Sequence, residues 1–369
     1  MKPLRGFHAS LGRVKPCTLV KEDQFKVSVV IPVFNGEATI AETLESVFAQ
    51  RFDGRVEVIV VNDGSTDGTR AVLNKYGDRI RVIDQQNRGI SAARNAAVAA
   101  ATGEYIALLD ADDTWTEDKL EKTVPVLDQN PECVAVFSDG ITVDSTGVGV
   151  IAPFYVGRGY DHSPTLDEML DNGRPWPILL GTFVVRRETL LAVGGFAEEF
   201  GREYGAEDAV AYLRIRERGE ILYVPQKLLR YRMPLFQQKL AKSIRPHNGN
   251  GKSLGAPDPD QYFRGNSVWA QLMLERYGTR GRKLADYAID ITAREQVMLG
   301  MMAMDQGDRE FARRCYRASI RHRPLWLKTY FRLGWAMLPT GVSQRLSPML
   351  SPGLRRSLSG PPFMEERTQ

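Results

Sequence analysis

Four strand-like runs alternate with helical segments in the first third of the sequence, and each run ends in a cluster of small or polar residues. The runs cover residues 27–34, 56–61, 79–84 and 105–109. After the first run, apolar residues recur from Ile40 to Phe48 at the spacing of one helix face. Strands that alternate with helices in this way predict an α/β fold with a mostly parallel central sheet.

The polar cluster after the fourth run is the most acidic of these. Asp110, Asp112 and Asp113 follow the apolar segment directly. In an open α/β sheet, ligands bind in the crevice beyond the carboxyl ends of the strands, so these carboxylates are expected to face a ligand. Carboxylate oxygens suit Mg²⁺ or Mn²⁺ holding a diphosphate. The alternative is an acidic turn before a helix that begins near Thr116.

Four motifs stand in a fixed order within about ninety residues. They are PVFN at 32–35, VNDGSTD at 61–67, NRGISAARN at 87–95 and LDADD at 109–113. Together they resemble the successive motifs of family-two glycosyltransferases with the GT-A fold, and the resemblance extends over about residues 26–231. It implies a Rossmann-like nucleotide-sugar-binding domain and an inverting transfer of a sugar to a hydroxyl acceptor. The charge on the nucleoside diphosphate that leaves must then be neutralised.

The resemblance also assigns residues to the nucleotide-sugar donor. Asp63 would accept a hydrogen bond from a ring N–H of the base, which selects uracil-like or thymine-like edges over cytosine. Arg88 and Arg94 would contact the base loop or the diphosphate, and Asp110 would hold the ribose. The alternatives are a turn-forming Asp63 and solvated arginines on a helix face. The other expected donor contacts are Pro32, Phe34, Asn35 and Ala111.

The divalent cation, Mg²⁺ or Mn²⁺, is expected on Asp112, while Asp113 would orient its neighbour or cap the next helix. Many family-two relatives place a His soon after a Tyr-Arg pair. Here Tyr231 and Arg232 are followed by Met-Pro, and the next histidine is His247. Two arrangements stay open. The cation is held by Asp112, the diphosphate and water, which we favour, or His247 reaches back from a loop.

An acidic pair further along the chain is expected to serve the acceptor. By resemblance, Asp208 would act as the base that takes the proton of the attacking hydroxyl, and Glu207 would contact the acceptor. The alternative is that both acids only favour a helix N-terminus. Gly181 and Thr182 would frame the acceptor, and Trp176 would stack on an acceptor sugar or pack in the protein.

Length and composition agree with an enzyme that carries an extension. A chain of 369 residues, 43% hydrophobic, can bury a substantial core and should hold about two domains. The three cysteines match neither a disulfide framework nor a zinc spacing, which favours a reducing cytoplasm. The predicted divisions are a flexible leader at 1–25, the GT-A domain at 26–244, a loop or linker at 245–260, a helical extension at 261–340 and a basic, flexible tail at 341–369.

The C-terminal region has an unusual charge. Residues 309–369 contain 12 lysines and arginines against 3 acids, a net of +9 that leaves −5 for the rest of the chain. Segment 325–338 (LWLKTYFRLGWAML) combines aromatic, apolar and basic residues, as an interfacial helix does. It either contacts an anionic membrane surface or is buried against the catalytic domain. Nucleic acid is not expected, since no recognisable reading module is attached. The protein would be cytoplasmic, or peripheral on the inner face of the cytoplasmic membrane.

Helices are predicted over 262–277, 286–305 and 308–322. Gly307, Ala312, Tyr316 and Pro324 resemble the second helix of a tetratricopeptide unit, but no second copy is present. One unit cannot bury its own faces, so we expect it to pack on the catalytic domain.

Two function classes follow from the sequence. The first is a metal-dependent, inverting glycosyltransferase that uses a UDP-sugar and a glycan or lipid-linked acceptor to build a bacterial cell-surface polysaccharide or glycolipid. The second is a non-catalytic binding or scaffold protein with the nucleotide-sugar fold and a helical partner-binding tail. Nucleotidyl transfer would require a Gly-rich triphosphate loop near the first strand, and none is evident.

Overall fold

A computed structural model of the protein describes residues 25–144, 147, 150–153, 165–173, 179–198, 207–232, 264–305 and 307–349. Its strands are β1 Val27–Val33, β2 Val56–Asp63, β3 Arg81–Gln85, β4 Tyr105–Leu108, β5 Thr114–Trp115, β6 Cys133–Val143, β7 Val150–Pro153, β8 Phe183–Arg186 and β9 Glu220–Arg232. The four strands predicted from the sequence are confirmed as β1 to β4, with ends that differ by one or two residues.

The helices divide between the sheet region and the C-terminal region. The sheet is accompanied by α1 Ile40–Phe48, α2 Thr69–Asn74, α3 Ile90–Ala100, α4 Lys119–Gln129, α5 Leu166–Asn172, α6 Arg187–Ala192 and α7 Glu207–Arg216. The C-terminal helices are α8 Arg264–Tyr277, α9 Arg282–Asp305, α10 Arg309–His322, α11 Leu327–Met337 and α12 Thr340–Leu346.

The described strands form one sheet in the order β3-β2-β1-β4-β8-β6-β9-β5, with β7 beside β6. Strands β3, β2, β1 and β4 run parallel to one another, as the sequence predicts. Beyond them the sheet is mixed, because β8 runs antiparallel to β4 and β6 while β9 runs parallel to β6. The carboxyl ends of β1, β2 and β4 therefore lie along one edge, where a ligand is expected.

The start of helix α4 differs from the prediction. We expected a helix from about Thr116, but α4 begins at Lys119. Thr114 and Trp115 pair with β9, and the Thr116 N–H donates to the Leu228 carbonyl at 3.1 Å. Because these residues are held beside β9, the chain turns into the helix only after them.

Two apolar clusters cover the two faces of the sheet. Alternate side chains of a strand point to opposite faces, so Val30 belongs to one cluster and Ile31 to the other. The first cluster includes residues of α3 and α7, and the second includes residues of α1 and α4. Helices on both faces thus bury the central strands and leave their ends for the site.

The first C-terminal helices extend the core of the sheet region, and the later ones form a separate apolar cluster. Trp269 in α8 and Leu284 in α9 join the first sheet cluster. Farther along, residues of α9, α10 and α11 form a separate cluster around Tyr316, whose ring approaches Gly300 so closely that a Cβ there would lie 2.5 Å from Tyr316 Cε1. The helix pair α9 and α10 was expected to pack on the catalytic domain, and α9 does so through Ala288, whereas α10 is buried by its neighbouring helices. Among the described helices, none has the length and hydropathy to cross a bilayer.

Candidate active site

The loops after β1 and β2 are tied together at the edge of the sheet. The Asn35 N–H donates to Ser65 Oγ at 2.9 Å, and Asn35 Oδ1 accepts from the Thr66 N–H at 2.8 Å. Asn35 has a φ of 54°, a conformation that asparagine tolerates better than most residues. The preceding Pro32 is buried within β1, whereas Phe34 is exposed at the rim. These contacts place the first two predicted donor motifs side by side.

Asp63, at the end of β2, is buried and organises the loop after β3. Its Oδ1 accepts from Gln85 Nε2 and from the Arg88 N–H, both at 2.8 Å, while Oδ2 accepts from the Gly89 N–H at 2.9 Å. Gly89 has a φ of 93°, which a residue with a Cβ rarely adopts. Asp63 thus fixes a neighbouring loop as well as its own turn. Its hydrogen bond to a nucleotide base stays a prediction.

The two predicted arginines lie in different environments. Arg88 is exposed, and its Nη2 lies 2.9 Å from Glu198 Oε2. Arg94 is buried, with Nη2 at 2.7 Å from Asp110 Oδ1 and Nη1 at 3.4 Å from Glu207 Oε1. For Arg94, the alternative of a solvated helix-face residue is wrong. Its contact with a diphosphate stays a prediction, and its guanidinium joins the acidic loop after β4 to the start of α7.

The charges of Arg94, Glu207 and Asp110 act on the pKa of Asp208. Burial disfavours the charge of Arg94, but the carboxylates of Asp110, Glu207 and Asp208 outweigh that and hold the pKa of Arg94 above its ordinary value. Burial raises the pKa of Asp208 to about 7, the charge of Glu207 adds to the rise, and Arg94 opposes it. A carboxyl group with a pKa near neutrality is suited to exchanging protons.

The last two acids of the loop after β4 differ in exposure. Asp112 is exposed, while Asp113 is buried and its Oδ1 accepts from the Arg232 N–H at 2.9 Å. Burial, followed by the charges of Asp112 and Asp110, raises the pKa of Asp113 well above its ordinary value. The prediction that Asp113 caps the next helix is wrong, because that helix begins at Lys119 and Asp113 is bound to β9.

Arg232, the last residue of β9, holds the acidic loop after β4 in place. Its Nε donates to the Asp112 carbonyl at 2.9 Å, and its Nη2 pairs with the Glu42 carboxylate of α1. Thr43 Oγ1 donates to the Asp113 carbonyl at 2.8 Å, from the same helix. In the sequence, Tyr231 and Arg232 only marked the position after which many family-two relatives have a histidine. Its contacts join residues far apart in the chain, and no local pattern could reveal them.

Comparison with known proteins shows the family of the chain. The profile of glycosyl transferase family 2 matches residues 28–190. EpsE of Bacillus subtilis, named a glycosyltransferase, is 31% identical over 199 residues, which are 53% of this chain and 68% of EpsE. The chain belongs to glycosyltransferase family 2. The predicted family and enzyme class are confirmed, and the scaffold alternative has no support from these relatives.

Two further glycosyltransferases are similar to this chain, one in sequence and one in structure. TuaG of B. subtilis, named a teichuronic acid biosynthesis glycosyltransferase, is 45% identical over 100 residues, which are 26% of this chain and 39% of TuaG. The crystal structure of S. aureus TarS 1-349 in complex with UDP-GlcNAc superposes with a TM-score of 0.54 at 20% identity, covering 85% of this chain and 87% of TarS 1-349. That structural likeness confirms the predicted fold class.

The residues expected at the acceptor are less accessible than predicted. Gly181 and Thr182 are buried, where the Gly181 carbonyl accepts from Trp115 Nε1 at 2.8 Å and Thr182 Oγ1 donates to the Leu179 carbonyl at 2.6 Å. Their contact with an acceptor stays a prediction. Trp176 lies outside the described residues, as does His247.

Sequence reasoning missed the burial of Lys119, the first residue of α4. Lys119 is fully buried, and its Nζ donates to Ser138 Oγ at 3.2 Å and to the Thr182 carbonyl. Burial lowers the pKa of Lys119 to about 7. In the sequence it is a lysine near the start of an amphipathic helix, so no signal distinguished it from a surface residue.

Asn95 holds the segment that leads toward α7. Its Nδ2 donates to the Phe196 carbonyl and its Oδ1 accepts from the Phe196 N–H, both at 2.8 Å. The Arg94 guanidinium lies over the Phe196 ring, 5.3 Å from its centroid. The NRGISAARN motif thus supplies two neighbouring residues, Arg94 and Asn95, that both contact Phe196. The sequence placed Asn95 in the right helix but gave it no partner.

The acidic loop has the donor chemistry for a hard divalent cation. Asp112 offers an exposed carboxylate at the sheet edge, and the nearby Asp110 is partly exposed. Within the residues that the structure describes, no group of three or more His, Cys, Asp or Glu side chains is arranged to hold a metal ion. An exposed carboxylate can share a divalent cation with a diphosphate and water, so Asp112 has suitable chemistry, and the cation on Asp112 stays a prediction.

Proposed function

We propose that this glycosyltransferase transfers a sugar from a UDP-sugar to a hydroxyl of a glycan or lipid-linked acceptor, with inversion at the anomeric carbon. The observation that carries the proposal is the bridge from Asp110 through Arg94 to Glu207. It brings the donor motif after β4 next to the acidic pair at the start of α7. Transfer requires both groups at one centre, with a base opposite the leaving diphosphate.

UDP is the proposed nucleotide for two reasons. Asp63 stands at the end of β2, where the family places the acceptor for a ring N–H of the base, and a uracil ring supplies that proton. TarS, which shares the fold, has been crystallised with UDP and with UDP-GlcNAc. Phe34, Asn35 and Ala111 complete the donor side, together with Arg88 from the loop that Asp63 organises.

Asp112 would hold Mg²⁺ or Mn²⁺ beside the diphosphate. When bound, such a cation neutralises the negative charge that develops on the leaving group. Thr43 and Arg232 fix the backbone on both sides of Asp112, since they bond the carbonyls of Ala111 and Asp112. They restrict the directions in which the Asp112 carboxylate can point.

Asp208 would accept the proton of the acceptor hydroxyl. As the hydroxyl oxygen bonds to the anomeric carbon, the bond from that carbon to the diphosphate oxygen breaks, and the nucleoside diphosphate carries away the electron pair. Glu207 is held by Arg94 and can accept a hydrogen bond from another hydroxyl of the acceptor. One base and one departing group on opposite faces of the sugar give inversion.

A bacterial cell-surface polysaccharide or glycolipid is the proposed product. The support is the similarity to TuaG, which is named for teichuronic acid biosynthesis. The test is a panel of UDP-, GDP- and dTDP-sugars with Mn²⁺, in which release of the nucleoside diphosphate is followed with and without candidate acceptors. We expect acceptor-stimulated release from a UDP-sugar. Release from a GDP-sugar alone, or from no donor, would contradict the proposal.

A further inference from the structure

Helix α11 has apolar residues on two faces, and its inner face is packed. Thr329 and Ala336 are buried, and Leu333 packs against the cluster that α9, α10 and α11 form. Arg309 from α10 donates to the Trp335 carbonyl at 2.8 Å and so fixes the end of α11. The helix is therefore held in one orientation, with its other face directed away from this cluster.

The outward face of α11 consists of Leu327, Tyr330, Phe331 and Met337. Their spacing of three, four and ten residues from Leu327 places them on one side of a helix. Leu327 and Phe331 are each 70% exposed, and Met337 is 57% exposed. Leu325, just before the helix, is 88% exposed. Large apolar side chains grouped in this way mark an interaction surface.

The segment of the sequence that carries this face is basic. Between Glu310 and Glu365 the sequence contains ten lysines and arginines and no acid. Lys328 on α11 and Arg345 on α12 are exposed. A second copy of the chain would bring two basic surfaces together, which costs electrostatic repulsion. An anionic lipid surface complements both properties, because basic side chains bind its headgroups while apolar side chains enter the acyl boundary.

We propose that the outward face of α11 lies in the headgroup layer of an anionic lipid bilayer, with Lys328 and Arg345 contacting lipid phosphates. Trp326 and Trp335, both half-buried, stand near the two ends of α11, and aromatic rings of this kind prefer the membrane–water interface. The docking itself does not depend on sugar transfer. Its use, which is access to a lipid-linked acceptor, rests on the proposed function.

The test is sedimentation of the full-length protein with two kinds of vesicle, phosphatidylcholine alone and phosphatidylcholine mixed with phosphatidylglycerol. We expect the protein to sediment with the mixed vesicles and to be released from them by high salt. We also expect Trp fluorescence to shift to shorter wavelength on binding. Failure of the wild-type protein to sediment with anionic vesicles would overturn the proposal.

Two double variants separate the apolar and the basic contributions. Leu327→Ser with Phe331→Ser should weaken partitioning into anionic vesicles by at least about tenfold. Lys328→Glu with Arg345→Glu should also weaken it and reduce its salt dependence. The matched controls are Leu191→Ser with Leu274→Ser and Lys75→Glu with Lys122→Glu, which change exposed residues on other elements. Both controls should bind as the wild type does.

The readouts distinguish this proposal from the proposed function. Thermal stabilisation by UDP with Mn²⁺ should be the same in the Leu327→Ser, Phe331→Ser variant as in the wild type, which also shows that the variant is folded. If that folded variant still sediments with anionic vesicles like the wild type, the outward face of α11 is not the docking surface. If the wild type instead forms a dimer that the variant abolishes, and vesicles bind neither, the face serves self-association and the membrane proposal is wrong.

Discussion

Arg94 Nη2 lies 2.7 Å from Asp110 Oδ1, and this contact joins helix α3 to the loop that follows strand β4. The same guanidinium reaches Glu207 at the start of α7. One buried cation thus connects the loop after β4 to the start of α7. Burying the charge of Arg94 costs free energy unless a carboxylate lies beside it, and the two carboxylates need the arginine for the same reason.

Arg94→Met should destabilise the fold. It would leave Asp110 and Glu207 without their buried counter-charge, so we expect the free energy of unfolding to fall by about 3 kcal/mol. Urea unfolding at neutral pH measures it. The control is Arg88→Met, which removes an exposed ion pair and should cost less than about 1 kcal/mol. Equal costs for the two variants would show that Arg94 does not act as the buried bridge.

Asp208→Asn should stop transfer while leaving donor binding intact. The amide cannot accept the proton of the attacking hydroxyl, so we expect kcat to fall by about 10² to 10⁴-fold. Calorimetric titration with UDP and Mn²⁺ should give nearly the wild-type Kd. Glu207→Gln is the matched comparison and should retain more activity, because the role proposed for Glu207 is a hydrogen bond to the acceptor and not proton transfer. A fully active Asp208→Asn enzyme would remove Asp208 from the role of base.

The pH dependence of the reaction should follow Asp208. Burial and the charge of Glu207 raise its pKa to about 7, against the opposing charge of Arg94. The carboxyl group accepts a proton only when ionised, so we expect kcat/KM to rise with pH through about 7. Asp110 adds to the rise in the pKa of Asp208, and the Tyr231 phenol lies in the same acidic field. A profile of kcat/KM that stays flat from acid to alkaline pH would contradict this assignment.

Raising the pH should lower the contribution of Asp208 to the stability of the fold, although it raises kcat/KM. The folded-state pKa lies above the ordinary value of 3.8, so protonated Asp208 favours folding. That contribution is complete below 3.8 and is lost as pH rises through about 7. The wild type should therefore lose stability relative to Asp208→Asn across this interval. Parallel urea midpoints for the two proteins over the interval would disprove the raised pKa.

Lys119→Met should change how stability depends on alkaline pH. Burial lowers the pKa of Lys119 from 10.5 to about 7, so the folded protein holds fewer protons than the unfolded chain between these values. The contribution of Lys119 to stability is complete above 10.5 and is lost as pH falls through about 7. Urea unfolding across this range should show stability rising more with pH in the wild type than in the variant. The exposed Lys122→Met serves as control, and identical behaviour of both variants would be inconsistent with a buried, neutral Lys119.

The sequence predicts the parts of this fold that depend on local pattern. Apolar runs and helical spacing locate β1 to β4, α1 and α3, because each buries a continuous or periodic set of side chains. The order of the motifs places Asp63, Asp110 and Asp112 at one edge, since parallel strands end together. Local pattern fails for α4, which begins late because pairing with β9 holds the residues before it.

Contacts between distant segments account for what sequence reasoning missed. Arg232 reaches Glu42 across most of the catalytic region, and Lys119 is buried only because Ser138 and Thr182 lie above it. Neither position has a spacing that distinguishes it from an exposed basic residue. The exposure of the outward face of α11 also depends on contacts between distant segments. The sequence left its burial open, and the packing of Thr329 and Ala336 decides which side is exposed.

A UDP-sugar site with a divalent cation on Asp112 should raise the Tm of the protein when nucleotide and cation bind together, so the first measurement is the change of Tm with nucleotides. The panel comprises UDP, GDP, dTDP and CMP, each with and without Mn²⁺, on the wild type, Asp112→Asn and the exposed control Asp78→Asn. We predict that UDP raises the Tm of the wild type and the control only with Mn²⁺, and that Asp112→Asn loses this response. No shift with any nucleotide, or an unchanged UDP response in Asp112→Asn, would contradict the account.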